Sequence, residues 1–259
     1  KLIKKLIKLA PEPIRHRVLR SSVRFPSEPS DGLVIKLANT KDELSQAFRI
    51  LHDQYVFEGY MDPHPSGMRV TKYHALPTTA IIVAKIKDEV VGTISLIRET
   101  PLGVPVGSVY DLSRSKEQHA RIGEISSLAI KPEHRGRSGE LFFWLIKYTL
   151  SYCKDYQKLD AILIGVHPKW HDFYVALIGF MSLKEKVVQK YDFANGNPLA
   201  GYKLDLSTML DHYKRLFGNA PAEKNMRTFI DQPMPIHFAS FPDRSFFKVV
   251  DPSMSPASL

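Results

Sequence analysis

The sequence predicts an α/β (α+β) fold, a mixed and mostly antiparallel sheet flanked by helices with helical N- and C-terminal extensions. Three observations carry that expectation. β-rich runs alternate with stretches apolar at helical spacing. Two of those runs, 79–87 and 90–98, are separated only by Asp88-Glu89, the pattern of a hairpin. The chain has 259 residues, of which 44% are hydrophobic, enough for a full core, and this length favours one elaborated domain over two.

The elements follow in order. Residues 1–32 form a basic segment and linker: Leu2, Ile3, Leu6 and Leu9 share one helical face opposite four lysines, Arg15, His16, Arg17, Arg20 and Arg24 continue the charge, and Pro26, Pro29 and Gly32 mark the linker. The amphipathic face at 1–10 suits an anionic membrane, an acidic protein or the chain's own domain. The core domain is expected over 33–217, beginning with a strand at 33–38. Thr40-Lys41-Asp42-Glu43 is a capping-box signature opening a helix to about Phe57. Gly59, Pro63, Pro65 and Gly67 then make a long loop, either a substrate lid or a plain connection. After the hairpin come a strand at 121–130, a helix at 138–152, a buried strand at 161–166 and a helix bearing Tyr174. Strands at 187–193 and 201–206 close the sheet, and Ser207 is expected to cap a helix reaching Phe217. Residues 218–259 are rich in proline and phenylalanine and form an extension packed on the domain.

Composition narrows the function. A net charge of +9 and a pI near 9.4 call for an acidic partner: nucleic acid, an anionic membrane or an acidic protein. No helix-turn-helix or RNA-binding motif is present, so nucleic acid is not expected. The single cysteine, Cys153, sits in an apolar helical pattern, which excludes disulfides and reads as a buried core thiol in a reducing cytoplasm. No apolar run is long enough to span a bilayer, and the first ten residues lack a secretory apolar region. His167 and His171 are four apart, but Pro168 follows the first directly and no third ligand is evident, so no metal is expected.

The most informative stretch runs from Gly123 to Glu140: an apolar strand enters a loop bearing Arg135, Gly136, Arg137, Ser138 and Gly139, which opens a helix and points backbone N–H groups at an anion. The loop has neither the spacing of an NTP-binding loop nor that of a dinucleotide fingerprint, so a smaller phosphate handle is expected. Leu128-Ala129-Ile130-Lys131-Pro132-Glu133-His134-Arg135-Gly136 resembles the core motif of the GCN5-related N-acyltransferase superfamily, and Phe173-Tyr174-Val175-Ala176-Leu177-Ile178-Gly179-Phe180 resembles its later Phe-Tyr-x-x-x-Gly-Phe segment. The resemblance implies that superfamily's fold, with central strands that splay apart. It also implies a pantetheine-bearing donor held by Ala129, Ile130, Arg135, Gly136, Arg137, Ser138 and Gly139. Ser138 and Glu140 replace two small residues of the family loop, and a carboxylate beside a pyrophosphate is repulsive. That departure favours a carrier-borne pantetheine, with its single phosphate, over free coenzyme A.

Amide formation from a thioester needs a neutral amine, a stabiliser for the oxyanion and a proton for the departing thiolate. Glu124, on a central strand among apolar neighbours, is the candidate general base, or else a structural carboxylate paired with Arg121 or another arginine. By resemblance, backbone N–H groups at Ser127 and Leu128 meet the thioester carbonyl where the strand bulges. Tyr174 by resemblance offers its hydroxyl to sulfur, and its plain alternative is an aromatic core residue.

Within the superfamily the chain is most similar to the branch that uses acyl carrier proteins, which comprises acyl-homoserine-lactone synthases and long-chain N-acyl amino acid synthases. The residues that carry this are 49–60, Val91 to Ile97 and Glu124-Ile125-Ser126-Ser127-Leu128. Departures at Ser127 and at Ile94-Ser95 favour the N-acyl amino acid synthases, particularly those of the FeeM type that make N-acyl tyrosines. The function implied is transfer of a long-chain acyl group from acidic acyl carrier protein to the α-amine of an amino acid, with no tightly bound cofactor and with Arg49 and Arg98 as carboxylate receptors. A basic face around Arg135, Arg137 and Lys147, joined by Arg15, Arg17 and Arg20, would steer the carrier, unless these are dispersed, solvated charges. The competing expectations are an acetyl-coenzyme A N-acetyltransferase and a basic binding module without activity. A cytoplasmic location with peripheral membrane contact accords with the composition.

Overall fold

The structure is a computed structural model that describes residues 10–136, 139–183, 186–234 and 246–247. Most of the expected amphipathic face at 1–10, namely residues 1–9, and the loop residues Arg137 and Ser138 therefore lie outside the described residues. Eight strands form the sheet: β1 (Leu33–Leu37), β2 (Ala80–Ile86), β3 (Glu89–Arg98), β4 (Ile122–Ile130), β5 (Ala161–Val166), β6 (Met181–Ser182), β7 (Val188–Tyr191) and β8 (Asn197–Asp205). Their order is β1-β2-β3-β4-β5-β8-β6, with β7 also on β8, and every pairing is antiparallel except β4 with β5.

The helices are α1 (Glu12–Ser22), α2 (Lys41–Phe57), α3 (Ser113–Gln118), α4 (Glu140–Ser151), α5 (His171–Phe173), α6 (Met209–Phe217) and α7 (Met226–Asp231). None of the described helices is long and apolar enough to cross a membrane. The start of α2 follows its capping signature: Thr40 Oγ1 accepts from the Glu43 N–H at 3.1 Å. The Glu43 carboxylate accepts from the Asn39 N–H rather than reaching back to Thr40, and it is clamped by Lys36 and Lys85, each at 2.9 Å, which ties the helix to β1 and β2. Ser207 does not cap α6. Its hydroxyl bonds to Asp205 Oδ1, which also accepts from the Ser207 and Thr208 N–H groups, so an aspartate turn ends β8 and leads into the helix.

Two hydrophobic layers cover the sheet. On one face α4 buries Leu141, Phe143, Trp144, Leu145, Ile146 and Leu150 against Ile82, Ile94, Leu96 and Ile125, with α6 and α7 beside it. Being apolar all round, α4 is the central helix of that layer. Phe25 stacks on Phe229 of α7 at 5.5 Å and meets Phe143 edge-on, so segments before β1 and after α6 share this core. On the other face Leu44, Phe48 and Leu51 of α2 cover Ile81, Val83 and Val90. Lys147, which the sequence placed on a basic face, is buried in α4 at 1% exposure, its ammonium 4.7 Å from the Phe229 ring and 5.1 Å from that of Trp144. It is a core cation held by aromatic faces, and it belongs to no docking surface. Cys153 is fully buried, as expected of a core thiol.

α5 continues into a wide π turn, Tyr174–Ile178, that ends at Gly179 with φ +79°. A Cβ there would lie 2.8 Å from Tyr213 Cε1, while Tyr213 donates to the Ile178 carbonyl at 2.9 Å. Backbone conformation and space both demand glycine at the end of the segment that carries Tyr174. Gly179→Ala is expected to lower unfolding free energy by about 2–4 kcal/mol, measured by urea denaturation.

Candidate active site

The site begins where β4 leaves β5. The two strands are in register at only three pairs, Ile122 with Ala161, Gly123 with Ile162 and Glu124 with Leu163, although both continue beyond them. β3 meanwhile stays with β4, but the three residues Thr93 to Ser95 of β3 lie opposite the four residues Ser126 to Ala129 of β4. The extra residue is a bulge, and Ser127 within it takes φ +54°, a left-handed backbone rare for a residue with a side chain. The parted strands enclose a cavity of about 430 Å³ that extends to α2, the long loop after it and the start of β8.

Glu124 stands at the fork. It is 3% exposed, and its Oε2 accepts from the Val106 N–H at 2.7 Å, contributed by the 3-10 turn Pro105–Ser108. Burial pushes its pKa up to about 8, with the Val106 bond opposing part of the rise. No arginine pairs with it among the described residues. Arg121 instead bonds the Asp160 carboxylate at 3.2 Å, so the structural alternative for Glu124 loses its partner. Tyr73 and Tyr191 also line the cavity, and in both, burial first and the Glu124 charge second hold the phenol protonated.

Tyr174 lines the same cavity, and its hydroxyl has no protein partner among the described residues. Burial raises its pKa, so it enters any reaction as a proton donor. Ser127, Leu128, Ala129 and Ile130 line the cavity from β4. Arg135 reaches it from the loop, its Nε donating to the Ile130 carbonyl at 3.2 Å and its Nη2 to Gln54 of α2. Gly136 and Gly139 both have left-handed backbone, and Gly139 is the N-cap of α4, but neither lines the cavity.

The two arginines expected to hold a carboxylate are not brought to the cavity. Arg49 is exposed on α2, and Arg98 lies at the end of β3, where its charge acts on Tyr152 behind the sheet. Besides Arg135, the arginine that lines the cavity is Arg69, from the long loop. Its guanidinium lies 4.2 Å from the Tyr55 ring and donates to the Phe193 carbonyl at 3.0 Å, with no carboxylate partner among the described residues. The loop's density of Tyr60, Arg69 and Tyr73 after Tyr55 was the available signal. Of the two spaced histidines, His167 lines the cavity, whereas His171 bonds Tyr202 at 2.9 Å and faces Glu12 and His16.

A buried carboxyl with a raised pKa, a bulged strand and a free phenol around a slot between parted strands define an N-acyltransferase of the GCN5-related superfamily. The comparisons place it within that class. The family model for N-acyl amino acid synthase FeeM matches residues 46–205, and the chain belongs to that family. Among solved structures it is similar to FeeM, an N-acyl amino acid synthase from uncultured soil microbes, with 20% identity and a TM-score of 0.60 over 70% of this chain and 93% of that one. It is also similar to BjaI, a CoA-dependent acyl-homoserine lactone synthase, with 19% identity and a TM-score of 0.55 over 84% of this chain and 98% of that one. A search of curated proteins returns no match.

The Glu124 shift carries a sign for stability. The folded pKa, about 8, lies above the ordinary 4.5, so the native state favours the protonated carboxyl, and its contribution falls as pH rises from about 4.5 to about 8. Urea unfolding at pH 5 and pH 9 should show the wild type losing about 2–4 kcal/mol more than Glu124→Gln over that interval.

Proposed function

We propose that this chain transfers a long-chain acyl group from acyl carrier protein to the α-amine of an amino acid, tyrosine the foremost candidate, by direct attack on the thioester. The single observation that carries the reading is the position of Glu124: an isolated carboxyl, poised near pH 8, at the fork where β4 and β5 part. The amine nitrogen attacks the thioester carbon while Glu124, ionised, takes the proton that nitrogen sheds, directly or through one water. The carbon–sulfur bond breaks, and the Tyr174 hydroxyl gives its proton to the departing sulfur. The products are an amide and the free pantetheine thiol. Backbone N–H groups of the bulge at Ser127 and Leu128 are the proposed oxyanion donors.

Support for an amino acid acceptor comes from Arg69. It lacks a carboxylate partner and acts electrostatically on Tyr191, which in turn feels Glu124, so one small molecule can present its amine to Glu124 and its carboxylate to Arg69. Tyr55, Tyr73, Tyr191 and Phe193 line that end of the cavity and suit an aromatic side chain. Ile94, Phe142, Ile146, Ile164 and Phe180 line it too and suit an acyl chain, each buried methylene contributing about 0.8 kcal/mol. Support for a carrier-borne donor comes from the net charge of +9 and from Glu140 in the first turn of α4, which disfavours a pyrophosphate there.

The test offers long-chain acyl-acyl carrier protein, the same acyl-coenzyme A and acetyl-coenzyme A to a panel of amino acids, with products read by mass spectrometry. N-acyl tyrosine formed from the carrier-borne donor is the expected result; product from acetyl-coenzyme A alone would replace it with an N-acetyltransferase. Glu124→Gln should cut kcat about 100-fold and abolish the inflection of kcat near pH 8. Arg69→Gln should raise KM for the amino acid about 10–100-fold, leave the donor KM unchanged, and make no difference to an amino acid amide.

A further inference from the structure

Beneath the cavity floor lies a second buried constellation. His74, on the loop before β2, is fully buried, its ring centre 5.1 Å from that of Phe48 of α2 and tilted 46° to it. Its Nδ1 accepts from the Thr71 N–H at 3.0 Å, and its Nε2 lies 3.1 Å from Ser127 Oγ, the side chain of the bulge. Burial, together with the nearby Arg69 charge, lowers its pKa to about 3, so the ring is neutral throughout the working range.

The geometry then settles the proton. A backbone N–H can only donate, so Nδ1 must be the acceptor, and the single proton of a neutral imidazole sits on Nε2. That N–H donates to Ser127 Oγ. The pair looks like a serine nucleophile with its histidine base, but the polarity is reversed: the histidine has no lone pair facing the serine with which to take its proton. Ser127 is thus not activated for attack. With one lone pair engaged by His74, its own O–H must point elsewhere, and no protein acceptor for it is present among the described residues. Ser127 lines the cavity at the bulge, beside the segment where the thioester carbonyl is expected.

We propose that the Ser127 hydroxyl is a side-chain oxyanion donor for the acyl transfer, oriented and polarised by His74 as a positioning residue. The inference rests on the acyl-transfer reading of the site and adds to it a donor beyond the backbone. Its donated hydrogen bond strengthens as the thioester carbonyl oxygen gains charge. A hydroxyl that itself accepts a hydrogen bond is a better donor, because successive bonds polarise one another. The left-handed backbone at Ser127 is the strain that aims the side chain at both His74 and the cavity. The arrangement also requires that no acyl-enzyme form on Ser127.

The test has two independent arms. In ¹⁵N-histidine NMR of the full chain, His74 should show the Nε2–H tautomer and no titration from pH 5 to pH 9. A Nδ1–H tautomer, or protonation within that range, would overturn the proposal without bearing on acyl transfer. In the second arm, long-chain acyl-acyl carrier protein and tyrosine are used as substrates. Ser127→Ala should lower kcat about 100-fold at unchanged KM for both substrates, with the inflection near pH 8 retained and the thermal midpoint lowered by only a few degrees, the cost of leaving the His74 N–H without its acceptor. His74→Phe should lower kcat about tenfold, and His74→Gln, whose amide can still donate to Ser127, should retain more turnover. Unchanged kcat in Ser127→Ala alongside a fall in Glu124→Gln overturns the donor alone; unchanged kcat in both overturns the role of Glu124 as well, and no turnover by the wild type overturns the acyl-transfer reading. A quenched ester on Ser127 would also refute the proposal.

Discussion

The separation of β4 from β5 after Glu124 is the constraint on which the rest of the structure depends. A strand that leaves its neighbour exposes N–H and C=O groups that must be satisfied. Here each parted strand keeps a complete partner on its other side: β4 follows β3 to Ile130, and β5 follows β8 through six consecutive pairs, from Ala161–Asp205 to Val166–Ala200. The sheet therefore loses only the few bonds that face the gap, and those are the groups an extended, amide-bearing tether can pair with. The bulge at Ser127 bends β4 close to the point of departure, so the opening is built into the backbone of the strand.

Glu124 occupies the last paired position, and its chemistry follows from that place. One residue earlier it would sit within a closed sheet, and one later its side chain would point to the opposite face. At the fork its carboxyl is enclosed by Val106, Tyr73 and Tyr191, with no cation among the described residues to stabilise its charge. In the proposed reaction, a base with a pKa near the working pH spends part of its time ionised and still binds a proton strongly enough to help the amine. The same isolation raises the two phenols, which keeps them neutral and available as hydrogen-bond donors to the acceptor molecule.

The sequence made the scaffold legible because its periodicities are strong and local. The strand at 161–166 coincides with β5, and the expected β4 and α4 differ from those observed by at most two residues at either end. That Glu124 and Tyr174 line the cavity, and that β4 bulges at Ser127, accords with the family resemblance, whose motifs place them on one strand and one helix. Arg69 and His74 were not legible. They sit on an irregular loop with no period to read, and they gain meaning only because the loop folds back beneath the sheet. Arg49 and Arg98 failed for the complementary reason: each lies on a regular element, but the face of that element was assigned by proximity in sequence to the cleft. Lys147 is the counterpart in charge: a lysine suggests a surface cation, but the aromatic neighbours on α4 and α7 bury it.

The distribution of the positive charge bears on the donor. Of the basic residues that could face an acidic carrier, Lys147 is buried, Arg15 is committed to the Asp172 carboxylate at 2.8 Å and 2.9 Å, and Arg135 is folded onto the Ile130 carbonyl and Gln54. Long-range steering of the proposed carrier would thus fall to scattered exposed cations. Outside the cavity lining, Gly139 opens α4, and Glu140 in its first turn takes the position at which an anion is stabilised by the helix N-terminus, its carboxylate held by the Ser30 hydroxyl at 2.9 Å. A fixed carboxylate at that point meets part of the need a bound phosphate would otherwise meet, and repels a second negative group brought beside it. A donor with one phosphate loses less by this than a donor with a pyrophosphate and a further phosphate. The same residue that weakens the resemblance to coenzyme A-binding loops is therefore a physical argument for a carrier-borne thioester.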